Sequence, residues 1–195
     1  MESLMNNYIR DQIKASIKTK QDVLTDLDLT KNIQVVAQLC IEAFKNGNKI
    51  IFAGNGGSAA DAQHLAAEFV SRFNYDRPGL PSLSLSTDTS MITAIGNDYG
   101  YENLFKRQLE AQSRPGDIFI GITTSGNSKN VTRAIEACGD LGVVSIALCG
   151  SGGLAKDLAN HALVVPSTHT ARIQECHILI GHIICGIVEQ TLFPK

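Results

Sequence analysis

Five short apolar runs, "KIIFA", "SLSLS", "DIFIGI", "VVSIAL" and "ALVV", recur along this chain, each separated from the next by a helical pattern. The helical patterns cover 59–73, then 88–95 with 102–113, then 128–140 and 154–159, and a last one covers 171–191. A strand that pairs in parallel with the next needs a crossover segment, and a sheet buried on both faces reads as continuous apolar runs. This alternation therefore predicts an α/β protein: a mostly parallel sheet with helices on both faces, in three layers.

Ahead of the first strand, residues 4–28 and 31–46 read as two helices. Leu4, Tyr8, Ile9, Ile13 and Ile17 fall at helical spacing, and so do Ile33, Val36, Ala37, Cys40, Ile41 and Phe44. Asp28 or Thr30 is placed to cap the second helix and Gly47 to stop it. The pair carries more apolar surface than one sheet edge can cover, so 1–46 is expected to pack against another subunit. No repeat, linker or low-complexity stretch interrupts 1–195, which reads as one domain with a substantial core.

A net charge of −2 gives no general attraction to nucleic acid or membrane. The five cysteines are odd in number and form no C-x-x-C pair, which points to a reducing compartment and away from a disulfide framework. "MESLMNNYIRDQIK" has early acids and no apolar core, unlike a signal peptide. "CHILIGHIICGIV", broken by two histidines, reads as too short to span a bilayer. A cytoplasmic location is expected.

Ligands of such sheets bind beyond the carboxyl ends of the strands, where helix N-termini present free N–H groups. Two loops stand there. "GNGGSA" (Gly54–Ala59) follows the first strand, and "TTSGNS" (Thr123–Ser128) follows "DIFIGI". The second groups Thr123, Thr124, Ser125 and Ser128 at a helix start, as an anion site requires; an ordinary turn with Ser128 as helix N-cap is the simpler alternative. The first also fits G-x-G-x-x-A, a weak dinucleotide signal, with Asp88 as its acidic residue at a longer spacing than usual. Neither loop has the Gly-Lys-Ser/Thr ending of a Walker A motif.

His64 and Glu68 stand four residues apart on the helix after the first loop, so they share a face. Far down the chain, "RIQECHILIGH" sets Gln174, Ile178 and His182 along one broad helical face, with His177 nearby. Imidazole and carboxylate at this spacing can chelate a metal ion or move protons; the same residues also occur as solvated pairs and core histidines. Asn97 and Asp98 in "AIGNDYGYENLF" read as a polar turn after a helix, either a left-handed C-cap or a grip on sugar hydroxyls. Arg172 is an ion-pair former or an anion contact, and His161 and His169 read as loop residues.

"AGNGGSAADAQHLAAEF", "GNDYGYENLF", "GDIFIGITTSGNSKNV" and "ARIQECHILIGHIICGIVEQ" together resemble the phosphoheptose isomerases of the sugar isomerase (SIS) superfamily. The resemblance covers nearly the whole chain. It implies a flavodoxin-like α/β/α sandwich assembled as a homotetramer, with active sites at subunit interfaces. It implies conversion of D-sedoheptulose 7-phosphate to D-glycero-D-manno-heptose 7-phosphate through an enediol, the first step of ADP-heptose synthesis for lipopolysaccharide. The family's zinc positions fall on His64, Glu68, Gln174 and His182. Its substrate contacts fall on Asn55, Gly56, Gly57, Asn97, Asp98, Thr123, Thr124, Ser125, Ser128 and Gln174. Glu68 is expected as base and His182 as its acid/base partner. Thr123 stands where serine is common, and Ala171 where some members carry aspartate.

Two other functions are weighed. A non-catalytic SIS-domain regulator of replication initiation shares the "AQH" helix and a "TLFP" ending, but lacks the glutamate and histidine found here as Glu68 and His182. A dinucleotide-binding oxidoreductase rests on the glycine pattern alone.

Overall fold

The computed structural model describes residues 2–195. Two helices lead, α1 (Glu2–Thr25) and α2 (Leu27–Lys45), broken apart at Asp26. The cap of α2 is Asp26, whose carboxylate accepts the Leu29 N–H at 2.9 Å, and neither Asp28 nor Thr30 takes that role. Such a cap is worth about 1 kcal/mol. Gly47, at φ 77°, ends the helix as expected.

There follow β1 (Ile50–Gly54), α3 (Gly57–Val70), β2 (Ser82–Ser84), α4 (Thr89–Asp98), a 3-10 turn at Tyr101–Asn103 and α5 (Leu104–Gln112). Then come β3 (Ile118–Thr123), α6 (Lys129–Ala137), β4 (Val144–Gly150), α7 (Ala155–Leu158), β5 (His161–Val165) and α8 (Thr170–Leu192). Every expected element is present, with ends shifted by a few residues. His161 opens β5 instead of lying in a loop, and His169 precedes α8 as its N-cap.

All strand pairs are parallel, in the order β2-β1-β3-β4-β5, with Ile50 beside Ser82 on one side and Ile118 on the other. Successive strand residues face opposite layers. Ile50 and Phe52 of β1 join a core with Val36 and Cys40 of α2, Leu65 and Phe69 of α3, and Ile180 and Ile184 of α8. Ile51 and Ala53 join the opposite core with Leu104, Phe105 and Leu109 of α5 and Val131 and Ile135 of α6. Each fully buried Leu, Ile or Phe contributes about 1.5–3 kcal/mol.

At 23 residues, α8 is long and apolar enough to cross a bilayer, which corrects the shorter span read from sequence. Its Ile173, Cys176, Ile180, Ile184 and Val188 are instead buried against the sheet, α2 and α3. All five cysteines are buried and unpaired. By contrast α1 leaves Leu4, Tyr8, Ile9, Ile13 and Ile17 between 51% and 76% exposed, an apolar stripe uncovered by this chain.

Candidate active site

The crossovers leave β1 and β3 in opposite directions, because β2 lies outside β1 while β4 lies beyond β3. The loops after these neighbouring strands diverge, and a crevice opens at their carboxyl ends. The two candidate loops lead from these ends. Gly56, at φ 56°, turns the chain from β1 into α3, a conformation that suits only glycine at low cost. Asn55 and Asn130 exchange two side-chain amide hydrogen bonds of 2.9 Å across the crevice, and the Tyr101 hydroxyl donates to Asn55 Oδ1 at 2.9 Å. Asn55, Tyr101, Glu102, Ser128, Lys129 and Asn130 line a cavity of about 330 Å³ there.

Within the second loop Thr123 is buried, and its hydroxyl lies 3.0 Å from that of Ser128. Ser128 is at the N-cap position of α6 without capping it, so its hydroxyl serves the loop instead. Thr124 is half-buried, and Ser125, which accepts the Asn127 N–H at 3.1 Å, is exposed. Gly126, at φ 69°, passes so close to the next loop that a Cβ would lie 2.3 Å from the Gly152 carbonyl. The loop is thus a braced hydroxyl cluster at a helix start, a shape suited to an anion.

The second part of the site is the seam where α3 and α8 run in the same direction. Gln174 packs its amide on Gly57, where a Cβ would lie 2.6 Å from Nε2. Two turns on, Gly181 lies against Leu65, where a Cβ would fall 2.5 Å from a methyl carbon. This close approach brings His182 to His64: their Nε2 atoms are 3.4 Å apart, and His64 Nε2 is 2.8 Å from Glu68 Oε1. One donor atom each from His64, Glu68 and His182 lies within 4.8 Å of the others, a donor set that suits a metal ion. His64 is exposed, and Glu68 and His182 are half-buried, so the cluster is open to ligands.

The same helices carry two perturbed groups. Asp61, one turn before His64, has a buried carboxylate oxygen without a hydrogen-bond partner. Burial pushes its carboxyl up to about 6, and the His64 charge works against that rise. His177 is fully buried with neither ring nitrogen hydrogen-bonded; burial pushes it down to about 4, with the Cys149 backbone acting the other way.

Other candidates resolve differently. Asn97 and Asp98 form the last turn of α4 instead of a turn beyond it, both exposed, with no left-handed residue besides glycine among the described residues. Asp88 is spent as the N-cap of α4, accepting the Met91 N–H at 2.8 Å, which removes the acidic residue of the dinucleotide pattern. Arg172 pairs with Glu175 at 2.8 Å and donates to the Gln12 carbonyl, so it ties α8 to α1. Sequence reasoning missed Asn130 and Tyr101, whose partner Asn55 is remote in the chain. It also missed Gly181, whose value lies in a missing side chain opposite Leu65.

The SIS domain family model matches residues 13–150. A phosphoheptose isomerase 2 of Campylobacter jejuni is 58% identical, the match covering all of this chain and 97% of the relative. A phosphoheptose isomerase of Aneurinibacillus thermoaerophilus is 57% identical over 97% of this chain and 96% of its own. The structure of a phosphoheptose isomerase from Francisella tularensis superimposes with a TM-score of 0.91 at 38% identity, over 97% of this chain and 100% of that one.

Proposed function

The chain belongs to the phosphoheptose isomerase family of SIS-domain proteins, and we propose that it interconverts D-sedoheptulose 7-phosphate and D-glycero-D-manno-heptose 7-phosphate, at the entry to ADP-heptose synthesis. The observation that carries this reading is the juxtaposition of His64, Glu68 and His182 on a seam whose first turn opens at the sheet's switch point. From Gly57 to His64 the helix rises about 10 Å, the length scale of an extended seven-carbon sugar phosphate. One end can thus sit by the hydroxyl-rich loop while the other reaches the seam.

The phosphate is assigned to Thr123, Thr124, Ser125 and Ser128, where the N-terminus of α6 adds its dipole. Asn55, Gly56 and Gly57 form the wall along the sugar, with Gln174 behind them. Anchoring the phosphate fixes the C1–C2 edge, the entropic part of the catalysis. Glu68 takes a proton from C1 of the ketose while His182 supplies one to O2, giving the enediol. Return of a proton to C2, with loss of one from O1, completes the aldose. Asn97 and Asp98 are assigned to sugar hydroxyls.

His64, Glu68 and His182 would hold a zinc ion, one per subunit, and their imidazoles and carboxylate fit it; Gln174, the fourth position the resemblance implies, is seated on Gly57 about 10 Å along the seam and lies apart from them in this chain. When bound, the metal supplies a Lewis acid for the carbonyl and enediolate oxygens. A homotetramer with sites at its interfaces is supported by the bare apolar stripe of α1 and by α4, which buries no residue of its own. Five free cysteines suit a reducing cytoplasm.

The test is turnover of sedoheptulose 7-phosphate, coupled to detection of the aldose, together with metal content before and after chelation. Turnover that falls with loss of about one zinc per subunit and returns on reloading supports the reading. Absence of turnover in metal-loaded protein sinks the activity, and full activity after complete stripping sinks the metal's part.

A further inference from the structure

A pair of buried charges that the chemistry above does not use holds the turn after α3. The Arg77 and Glu189 side chains are 2% and 1% exposed, with Nε 3.3 Å from Oε1. Glu189, near the end of α8, accepts the backbone N–H of Phe73 at 2.9 Å and of Asn74 at 2.7 Å, one on each oxygen. Burial pushes its carboxyl up, yet these N–H groups and Arg77 outweigh burial and hold it below its ordinary value.

The other end of the pair closes α3. Arg77 Nη2 donates to the Glu68 carbonyl at 2.7 Å, and Nη1 donates to the carbonyls of Phe69 at 2.6 Å, Ser71 at 3.1 Å and Pro78 at 3.0 Å. α3 has no basic residue in its last turn. Arg77 therefore satisfies the orphan carbonyls of that turn and puts a cation at the negative end of the helix dipole. The turn that Glu189 grips also carries Phe73, whose ring centre lies 5.3 Å from that of His182.

Each of the two proton-transfer side chains is thus backed by one part of this turn. We propose that Arg77 and Glu189 are positioning residues for the isomerisation: Arg77 fixes the helical turn bearing Glu68, and Glu189 fixes Phe73 as the wall behind His182. A pair that served stability alone would, when altered, lower the folded population and leave turnover per folded molecule untouched. A positioning pair lowers kcat in molecules that remain folded, because small misplacements at the reacting carbons are expensive.

The inference rests on Glu68 and His182 as the acid–base pair, and the experiment separates the two claims. Arg77→Lys, Glu189→Gln and Phe73→Leu are compared with the native, metal-loaded, full-length protein in steady-state kinetics across pH, normalised to folded protein by circular dichroism. Arg77→Lys is expected to lower kcat by about a hundredfold, and Phe73→Leu by about tenfold with KM little changed. Folded variants with native kcat overturn the proposal. Phe73→Leu leaves the ion pair whole, so it decides the matter if the other two fail to fold. If the native protein turns over no sugar phosphate, the acid–base reading fails. Imidazole 15N spectra then decide positioning: a shift of the His182 ring in Phe73→Leu, with His161 unmoved, supports it, and coincident spectra overturn it.

Discussion

Helices α3 and α4 each follow a strand of the same sheet, yet they are built to opposite ends. α3 buries Ala62, Leu65, Ala66 and Phe69, lies against α8 and is closed by Arg77. α4 has no fully buried residue and only rests Ile92 and Ile95 on the core, and its Asn97 and Asp98 are exposed, bonded to each other at 2.7 Å. The groups proposed to transfer protons therefore sit on the part of the chain that is finished by its own packing. The groups assigned to sugar hydroxyls sit on a part that this chain leaves bare. Proton transfer needs placement to a fraction of an ångström, which a packed seam supplies.

The contrast can be broken at several points. His182→Gln should lower turnover by about a thousandfold while thermal unfolding stays close to native, because it removes one half of the acid–base pair. Asp98→Ala should act on the other helix, raising KM by about tenfold with a smaller change in kcat, as lost ground-state binding does; a kcat-only effect would move Asp98 into the chemistry. If the proposed homotetramer uses the α1 stripe, Ile9→Glu with Ile13→Glu should split it, seen in sedimentation, with a fall in activity. Monomers of native activity would separate α1 and α4 from the site.

A separate effect, on stability and not on turnover, is a pH dependence on the finished side. The unfolded chain binds a proton at His177 below about 6.5, whereas burial keeps the folded histidine neutral down to about 4. Stability is therefore whole above 6.5 and is lost as pH falls toward 4, by about 3 kcal/mol. Asp61, raised to about 6, works in the opposite sense, since the fold keeps a proton that the unfolded chain releases. The measurable quantity is the difference between native protein and His177→Leu in denaturant unfolding, which should shift in favour of the variant from pH 6.5 to 4.

Much of this was legible in the sequence for one reason: apolar runs record burial. The alternation of strands and helices, the two loops, and His64 and Glu68 on one helical face all follow from local spacing. The split between α1 and α2 was misplaced by a few residues because Asp26, Asp28 and Thr30 all offer capping chemistry, and only the fold chooses among them. Asn97 and Asp98 continue α4 because Tyr99, not a left-handed asparagine, ends it. The pairing of Asn55 with Asn130, the room that Gly181 leaves for Leu65, and the grip of Glu189 on Phe73 link residues far apart in the chain, so no window of sequence could display them. The meeting of His64 with His182 was readable only through the family resemblance.

The central claim is that the α3–α8 seam performs the proton transfer. Glu68→Gln keeps the size and shape of the side chain and removes the base. The account predicts that this variant, with native circular dichroism and unfolding temperature, shows no turnover of sedoheptulose 7-phosphate above background. Near-native turnover in the folded variant would contradict it.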